Sequence, residues 1–163
     1  EALNTFTYFF VQNENSKKSK VGEPVATYGV GSSVFNRYSI QDDYKLLKKA
    51  REGLKTDVFY LLADAINMPE KTLASVINLS PRTISNYRDQ EKGLDPIYSE
   101  HLLKLINLYN FGKDIFGNLD EFTLWMNRPF WNSEDKPIDF ISTSGGVDLV
   151  YEEIEKLAQG YPV

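Results

Sequence analysis

The sequence predicts an all-α fold, because helical periodicity, composition and turn signals agree from residue 42 to the end of the chain. Apolar residues recur at spacings of three and four, which is the pattern of amphipathic helices. The 163 residues are 42% apolar and 13% aromatic, a composition that can bury a core. The predicted helical segments are 44–54, 57–66, 69–77, 81–90, 96–117, 120–127, 137–141 and 146–159.

The first 41 residues lack this helical period. They contain an apolar stretch, TFTYFFV at 5–11, whose alternating aromatic residues give a weak strand signal. A Gly/Ser segment follows at 27–36, TYGVGSSVFN. We therefore expect residues 1–43 to form a small or poorly ordered N-terminal arm.

Residue usage argues against several classes of protein. The chain has no Cys, which excludes disulfides and thiolate metal sites, and it has one His, His101, for which we expect a helix-surface or capping role. The glycine-containing stretches at 29–33 and 142–146 lack the Lys of a phosphate-binding loop. No apolar run approaches the roughly 18 residues of a membrane span, and no secretory signal is visible. We expect a cytoplasmic protein that is not an enzyme and binds no cofactor or metal.

Charge is distributed unevenly along the chain. The net charge is +1 for residues 1–41, 0 for residues 42–117 and −6 for residues 118–163. The acidic C-terminal third would repel nucleic acid and attract a basic partner. The neutral middle can bind DNA only through locally clustered cations.

Two short helices at 69–77 and 81–90 have the spacing of a helix-turn-helix. Asn67 and Glu70 are spaced as a capping box for the first helix, with Pro69 in its first turn. Asn78 suits the left-handed turn position, and Ser80 is a suitable N-cap for the second helix. In a twenty-residue motif that starts at Lys71, the small close-packing residue and the buried positions are Ala74, Leu79, Ile84 and Tyr87.

The second helix then presents side chains suited to DNA. Arg pairs with guanine, Asn with adenine, and hydroxyl groups bind bases or phosphates. The candidate DNA-binding residues are Ser80, Arg82, Thr83, Ser85, Asn86 and Arg88. The alternative is a helical hairpin with a solvated polar face. Asp89 and Glu91 weaken binding, so a dimer or larger assembly would be needed to present two such helices.

A wider resemblance extends over about residues 45–163. The residues that carry it are Arg51, Gly53, Leu54, Ser80, Arg82, Thr83, Leu94, Ser99, Glu100, the stretch 115–117, Trp125, Met126, Pro137, Ile141, Thr143, Gly146, Val150, Ile154, Leu157 and Gly160. In this order they resemble antitoxins of the Xre/MbcA/ParS type. The chain departs from that pattern at FWNSED, 130–135, where the family has Leu-Gly-Gly, and at His101, where the family has Arg.

The resemblance implies the antitoxin of a RES-Xre toxin-antitoxin module. Residues 44–117 would be an Xre-like helix-turn-helix domain that represses the antitoxin's own operon. Residues 118–163 would bind a cognate RES-type toxin, which degrades NAD, and the last residues would cover its active site. The implied partners are this toxin, operator DNA and further copies of the chain, with no membrane.

We predict a toxin-binding surface within this C-terminal segment. Its candidate residues are Phe130, Trp131, Glu152, Glu153, Gly160, Tyr161, Pro162 and Val163. Phe130 and Trp131 are adjacent, so they cannot both face one core. The alternative for the acidic run is the solvated face of a helix that buries Leu149, Val150, Ile154 and Leu157. Two other functions stay open, a DNA-binding regulator without a toxin and a scaffold for a non-toxin partner.

Overall fold

A computed structural model of the protein describes residues 31–130 and 133–160, and all secondary structure within these ranges is helical. This confirms the predicted all-α class. The helices are α1 (Gly31–Tyr38), α2 (Asp43–Glu52), α3 (Asp57–Ala65), α4 (Glu70–Val76), α5 (Pro81–Asp89), α6 (Pro96–Phe116), α7 (Leu119–Met126), α8 (Pro137–Phe140) and α9 (Ser144–Ala158). Each predicted segment coincides with one of α2 to α9, within two residues at each end. The weak strand signal at 5–11 lies outside the described residues.

Helix α1 was not predicted, and the expectation of no helix before residue 42 is wrong for residues 31–38. Val34 and Phe35 are buried in the core, and α1 packs against α3 and α6. The chain that follows α1 is held by Asn107 of α6, whose side chain accepts from the Ile40 N–H at 2.8 Å and donates to the Ile40 carbonyl at 2.7 Å. Tertiary contacts therefore stabilise a helix whose eight residues are too few to show a period.

Helix α6 is the central element of the fold. It is 21 residues long and packs against α1, α2, α7 and α9. Its fully buried residues include Leu102, Leu103 and Leu108, which point to different sides of the helix. A helix surrounded by neighbours needs apolar residues around most of its circumference, which this sequence provides.

The end of α2 is fixed to the start of α6 by a buried serine. The Leu54 N–H donates to Ser99 Oγ at 2.9 Å, and this hydroxyl donates to the Leu94 carbonyl at 3.0 Å. The Leu94 N–H donates back to the Leu54 carbonyl at 2.7 Å. Gly53 has φ +79°, and a Cβ there would lie 2.9 Å from the Leu94 carbonyl oxygen. The close approach of these two segments therefore requires a glycine.

A cluster of aromatic side chains joins α6 to the segments that follow it. Phe122 of α7 is fully buried, with its ring 5.3 Å from that of Tyr109 and 5.6 Å from that of Phe116. Trp125 is partly buried beside it, and Met126 is buried. Phe122 and Met126 are therefore core residues of the protein. Gly117, with φ +86°, ends α6, and the proposed domain boundary after residue 117 stays a prediction.

Candidate nucleic-acid interface

The first helix of the predicted pair, α4, begins differently from the expectation. Asn67 has φ +51°, and the Met68 N–H donates to the Ala63 carbonyl at 2.9 Å, so these residues terminate α3. Pro69 is the N-cap of α4, and its side chain makes no capping bond. The predicted capping box of Asn67 and Glu70 is therefore wrong. The linker between α3 and α4 is short, so the sequence around Asn67 fits either the end of α3 or the N-cap of α4. In the structure, Asn67 ends α3.

The turn between α4 and α5 has the predicted geometry. Asn78 has φ +58°, and the Leu79 N–H donates to the Ala74 carbonyl at 2.9 Å, which closes the end of α4. Ala74 is fully buried where the two helices meet. Ser80 is the N-cap of α5, and its hydroxyl accepts from the Thr83 N–H at 3.0 Å, with Pro81 in the first turn. Local sequence signals are sufficient to set this turn.

One side of α5 is buried and the other carries the predicted polar residues. Ile84 is fully buried and Tyr87 is half-buried. Ser80, Arg82, Asn86 and Arg88 are exposed, whereas Thr83 and Ser85 are half-buried. The structure thus brings the six candidates onto one short helix and its cap. Their contact with DNA stays a prediction.

The two arginines of α5 have different surroundings. The Arg88 guanidinium lies 4.7 Å from the centroid of the Tyr60 ring on α3, a cation–π contact. Burial raises the pKa of the Tyr60 hydroxyl, although Arg88 opposes this shift, and the ring therefore stays uncharged beneath the cation. Arg82 takes part in none of the salt bridges formed by residues 31–130 and 133–160. Arg82 is available to a ligand, while Arg88 is positioned by Tyr60, which sequence reasoning missed.

The loop after α5 adds one cation that is already engaged. Lys92 Nζ lies 4.1 Å from the centroid of the Tyr87 ring and 3.6 Å from Asp95 Oδ1. Asp89 and Glu91 lie beside it in the sequence and are exposed. The C-terminal end of α5 and the loop that follows it therefore have a net charge near zero. A single copy of the chain has little electrostatic attraction for DNA there.

The turn between α8 and α9 is bonded to the helix-turn-helix. Asn78 Nδ2 donates to the Ser142 carbonyl at 2.8 Å, and His101 Nε2 donates to the Ile141 carbonyl at 2.8 Å. Lys104 Nζ lies 2.6 Å from Asp148 Oδ2. The C-terminal helices are therefore attached both to the turn between α4 and α5 and to α6.

His101 does not lie on the helix surface, because only 5% of it is exposed. Burial lowers the pKa of its imidazole, and the nearby Lys104 lowers it further, so the ring is neutral at pH 7. The hydrogen bond to Ile141 satisfies the carbonyl at the end of α8, which is a capping role across two helices. The capping expectation is confirmed, and the helix-surface expectation is wrong.

The candidate toxin-binding residues are spread over the C-terminal segment. Glu152 is exposed, and Glu153 is half-buried and lies 2.6 Å from Lys156 Nζ. Phe130 is half-buried against the rings of Trp125 and Phe140, at 6.2 and 5.9 Å between centroids. Gly160, with φ +84°, follows the end of α9. Trp131, Tyr161, Pro162 and Val163 lie outside the described residues.

The buried stripe of α9 differs from the expectation at two positions, because Leu149 is exposed and Leu157 is only half-buried. Val150 and Ile154 are buried, as expected, but the third buried residue is Val147. Leu149 is 42% exposed. Leu149 directly precedes Val150, and adjacent residues of a helix point about 100° apart, so the core accepts only one of them. Thr143 is the N-cap of α9, and its hydroxyl accepts from the Gly146 N–H at 3.0 Å.

Other classes of site have little support in the described ranges. There, no group of three or more His, Asp or Glu side chains is arranged to hold a metal ion. Among the same residues, no helix has the length and apolar character needed to cross a membrane.

Comparison with known families supports the interpretation of the helix pair. Residues 45–107 match the antitoxin Xre-like helix-turn-helix domain. No curated protein matches the chain. The matched range begins in α2, ends within α6 and includes both α4 and α5. This match supports an Xre-type antitoxin and DNA-binding regulator, whose Xre-like helix-turn-helix domain lies within residues 45–107.

Proposed function

We propose that the protein is the antitoxin of a RES-Xre module. It represses its own operon through α4 and α5, and its C-terminal segment neutralises a RES-type toxin that degrades NAD. The observation that carries the proposal is the exposed face of α5, with Arg82 and Asn86, inside a domain that matches those of antitoxins. The cytoplasm, where operator DNA is present, is the expected location.

The DNA-binding half rests on side-chain chemistry and on geometry. Arg82 and Asn86 are four residues apart on a helix, so they lie on the same face. An Arg can bind guanine and an Asn can bind adenine through two hydrogen bonds each. Ser80 and Thr83 lie at the N-terminal end of α5, where the helix dipole favours a phosphate. The two halves of an operator would then be read by two copies of α5.

The toxin-binding half rests on the sequence resemblance at 137–160 and on charge. Residues 118–163 have a net charge of −6, which suits a toxin pocket built for the phosphates of a dinucleotide. Glu152 is exposed on α9, and Gly160 ends the helix with a left-handed residue. In this proposal the chain after Gly160 reaches the toxin's active site, and Phe130, Trp131 and Glu153 contribute to the surrounding contact.

Arg82→Ala is expected to weaken operator binding by about 1 to 3 kcal/mol, which is roughly 5- to 150-fold in Kd, because one base contact is lost. Fluorescence anisotropy with DNA from upstream of the operon measures the change. Arg37→Ala removes another exposed cation, from α1 outside the matched domain, and is expected to leave binding nearly unchanged. An equal loss of DNA and toxin binding in Arg82→Ala would mean that Arg82 has a structural role.

Removal of residues 160–163 is expected to abolish protection against the toxin. Cellular NAD is measured in a host that expresses the neighbouring toxin gene, with either the full chain or a chain that ends at Gln159. The full chain should preserve NAD and the truncated chain should not, while both retain operator binding. If the full chain fails to protect although the neighbour depletes NAD, inhibition of a RES toxin is excluded.

A regulator without a toxin is the second candidate. It is favoured by the extent of the family match, which stops at residue 107 and leaves α7 to α9 unmatched. For this candidate, operator binding would persist and the NAD experiment would give no protection. The scaffold alternative has no contact among the described residues that favours it.

A further inference from the structure

The side chain of Asn78 is not needed for the turn that this residue occupies. Asn78 has φ +58° between α4 and α5, a left-handed conformation that glycine adopts without steric cost. Backbone hydrogen bonds close the turn, from the Asn78 N–H to the Ser75 carbonyl at 3.1 Å and from the Leu79 N–H to the Ala74 carbonyl at 2.9 Å. The amide group of the side chain therefore serves another purpose than forming the turn.

The Asn78 amide forms its shorter hydrogen bond with the C-terminal part of the chain. Asn78 Nδ2 donates to the Ser142 carbonyl at 2.8 Å, whereas its distance to the Val76 carbonyl oxygen of α4 is 3.5 Å. Ser142 lies 64 residues away in the sequence, between α8 and α9. A distance of 2.8 Å is that of a well-formed hydrogen bond. The side chain therefore joins the turn between α4 and α5 to the turn between α8 and α9.

The acceptor of this bond, the Ser142 carbonyl, is held in place from both sides. Before it, the buried Ile141 accepts a hydrogen bond from His101 Nε2 at 2.8 Å through its carbonyl. After it, Ser144 Oγ donates to Glu100 Oε1 at 3.0 Å. Both partners belong to α6, the central helix. The bond lies at the surface, where water competes for both groups, but only the donor side chain must be ordered because the acceptor is already fixed.

The bond acts on the start of α5, the helix that is proposed to read DNA. Arg82 is in the first turn of this helix and follows Asn78 by four residues. Ile84 is the buried side chain of α5, so the direction of the helix depends on the contacts on either side of it. Toward the C-terminal end, the Arg88 guanidinium contacts the Tyr60 ring at 4.7 Å. Toward the N-terminal end, the Asn78 bond restrains the direction in which Arg82 points.

We propose that Asn78 is a positioning residue, whose side-chain amide fixes the direction of α5 by bonding it to the C-terminal helices. The position of the turn between α8 and α9 then sets how Arg82 and Asn86 are presented to an operator. The inference deepens the proposed function and rests on it, because the direction of α5 matters only if the protein reads DNA. The restraint on α5 itself is tested without DNA.

Asn78→Gly in the full chain removes the amide and keeps a residue that suits the left-handed turn. Operator binding, measured by fluorescence anisotropy, should weaken by roughly 2- to 10-fold, the effect of one net hydrogen bond. In the free protein, the amide hydrogens of Thr83 and Ile84, which are bonded to Ser80, should exchange with solvent faster than in the parent. The circular dichroism should match that of the parent. The proposal requires both changes, and the absence of either one would overturn it.

Asn67→Gly is the matched control. Asn67 is exposed and has φ +51° at the end of α3, so the residue type and the backbone conformation are the same as for Asn78. Within residues 31–130 and 133–160, the side chain of Asn67 forms no hydrogen bond. Asn67→Gly should therefore keep the operator Kd and the amide exchange of α5 close to those of the parent. Equal effects of the two glycine variants would mean that the Ser142 bond is not the cause, and the proposal would fail.

A double-mutant cycle separates positioning from a direct contact between Asn78 and DNA. Ser144→Ala removes the hydrogen bond to Glu100 beside Ser142, so it loosens the acceptor of the Asn78 bond without altering α5. It should weaken operator binding in the parent and have a clearly smaller effect in the Asn78→Gly background. Additive effects on Kd, or no effect of Ser144→Ala in the parent, would mean that the C-terminal turn does not act through Asn78, which contradicts the proposal.

The two proposals fail separately. If the parent does not bind operator DNA but Asn78→Gly speeds amide exchange in α5, the proposed function is removed and the restraint on α5 remains. If the parent binds operator DNA, with the loss expected for Arg82→Ala, and Asn78→Gly changes neither Kd nor exchange, the proposed function remains and Asn78 has no positioning role.

Discussion

Gly146→Ala is expected to destabilise the protein by about 1 to 3 kcal/mol, the usual cost of forcing an extra methyl group into a packed site. A Cβ at Gly146 would overlap the Phe140 carbonyl oxygen and lie 2.8 Å from the carbonyl carbon of the same residue. It would also lie 2.9 Å from the hydroxyl oxygen of Thr143, which caps α9. Backbone atoms cannot rotate away as a flexible side chain can, so α8 and α9 must move apart.

The neighbouring glycine provides the control for this prediction. A Cβ at Gly145 would meet no atom within 4 Å. Gly145→Ala should therefore be neutral or slightly stabilising, by up to about 0.5 to 1 kcal/mol, because Ala has the higher helix propensity. Urea unfolding followed by circular dichroism compares the two variants. Equal stabilities would show that the α8–α9 turn is looser than the close contact at Gly146 indicates.

Phe122→Ala is expected to cost about 3 to 5 kcal/mol, as for other large aromatic residues removed from a core. Phe122 is fully buried and contacts the rings of Tyr109, Phe116 and Trp125. On its other side lies Gly112, where a Cβ would be 2.6 Å from three atoms of the Phe122 ring. Loss of Phe122 would therefore leave a cavity between α6 and α7.

A double-mutant cycle separates this packing from general damage to the core. Gly112→Ala alone should destabilise the protein, because the ring of Phe122 occupies the space of the new methyl group. In a Phe122→Leu background the same change should cost clearly less, since the ring is absent. The free energies of unfolding of the four proteins give the coupling. Additive changes would mean that Gly112 and Phe122 do not share this space.

The helix ends of this chain show which structural features the local sequence determines and which it does not. The turn at Asn78 and the cap at Ser80 were predictable, because each depends on one residue's backbone preference and on hydrogen bonds within a few residues. Asn67 shows the limit of the same signals. It can serve as an N-cap or as a left-handed helix end, and the lengths of the flanking helices decide between the two.

The candidate DNA-binding residues were predictable as a set, but not their individual surroundings. The three-to-four spacing around Ile84 places the polar residues of α5 on the outer face. That Arg88 lies on the Tyr60 ring depends on how α3 crosses α5, and no local pattern contains this information. The same holds for His101, whose partner at Ile141 is 40 residues away in the sequence.

The sequence by itself determined the helical class, the positions of α2 to α9 and the turn of the helix pair, because periodicity and capping are local properties. Only the tertiary structure decided that residues 31–38 form a helix, since the burial of Val34 and Phe35 stabilises it. Tertiary packing also left Tyr44, Leu47 and Ile97 exposed together at a groove between α2 and the first turn of α6. Helical periodicity marks these residues as apolar, but which apolar faces the fold covers depends on how the helices pack.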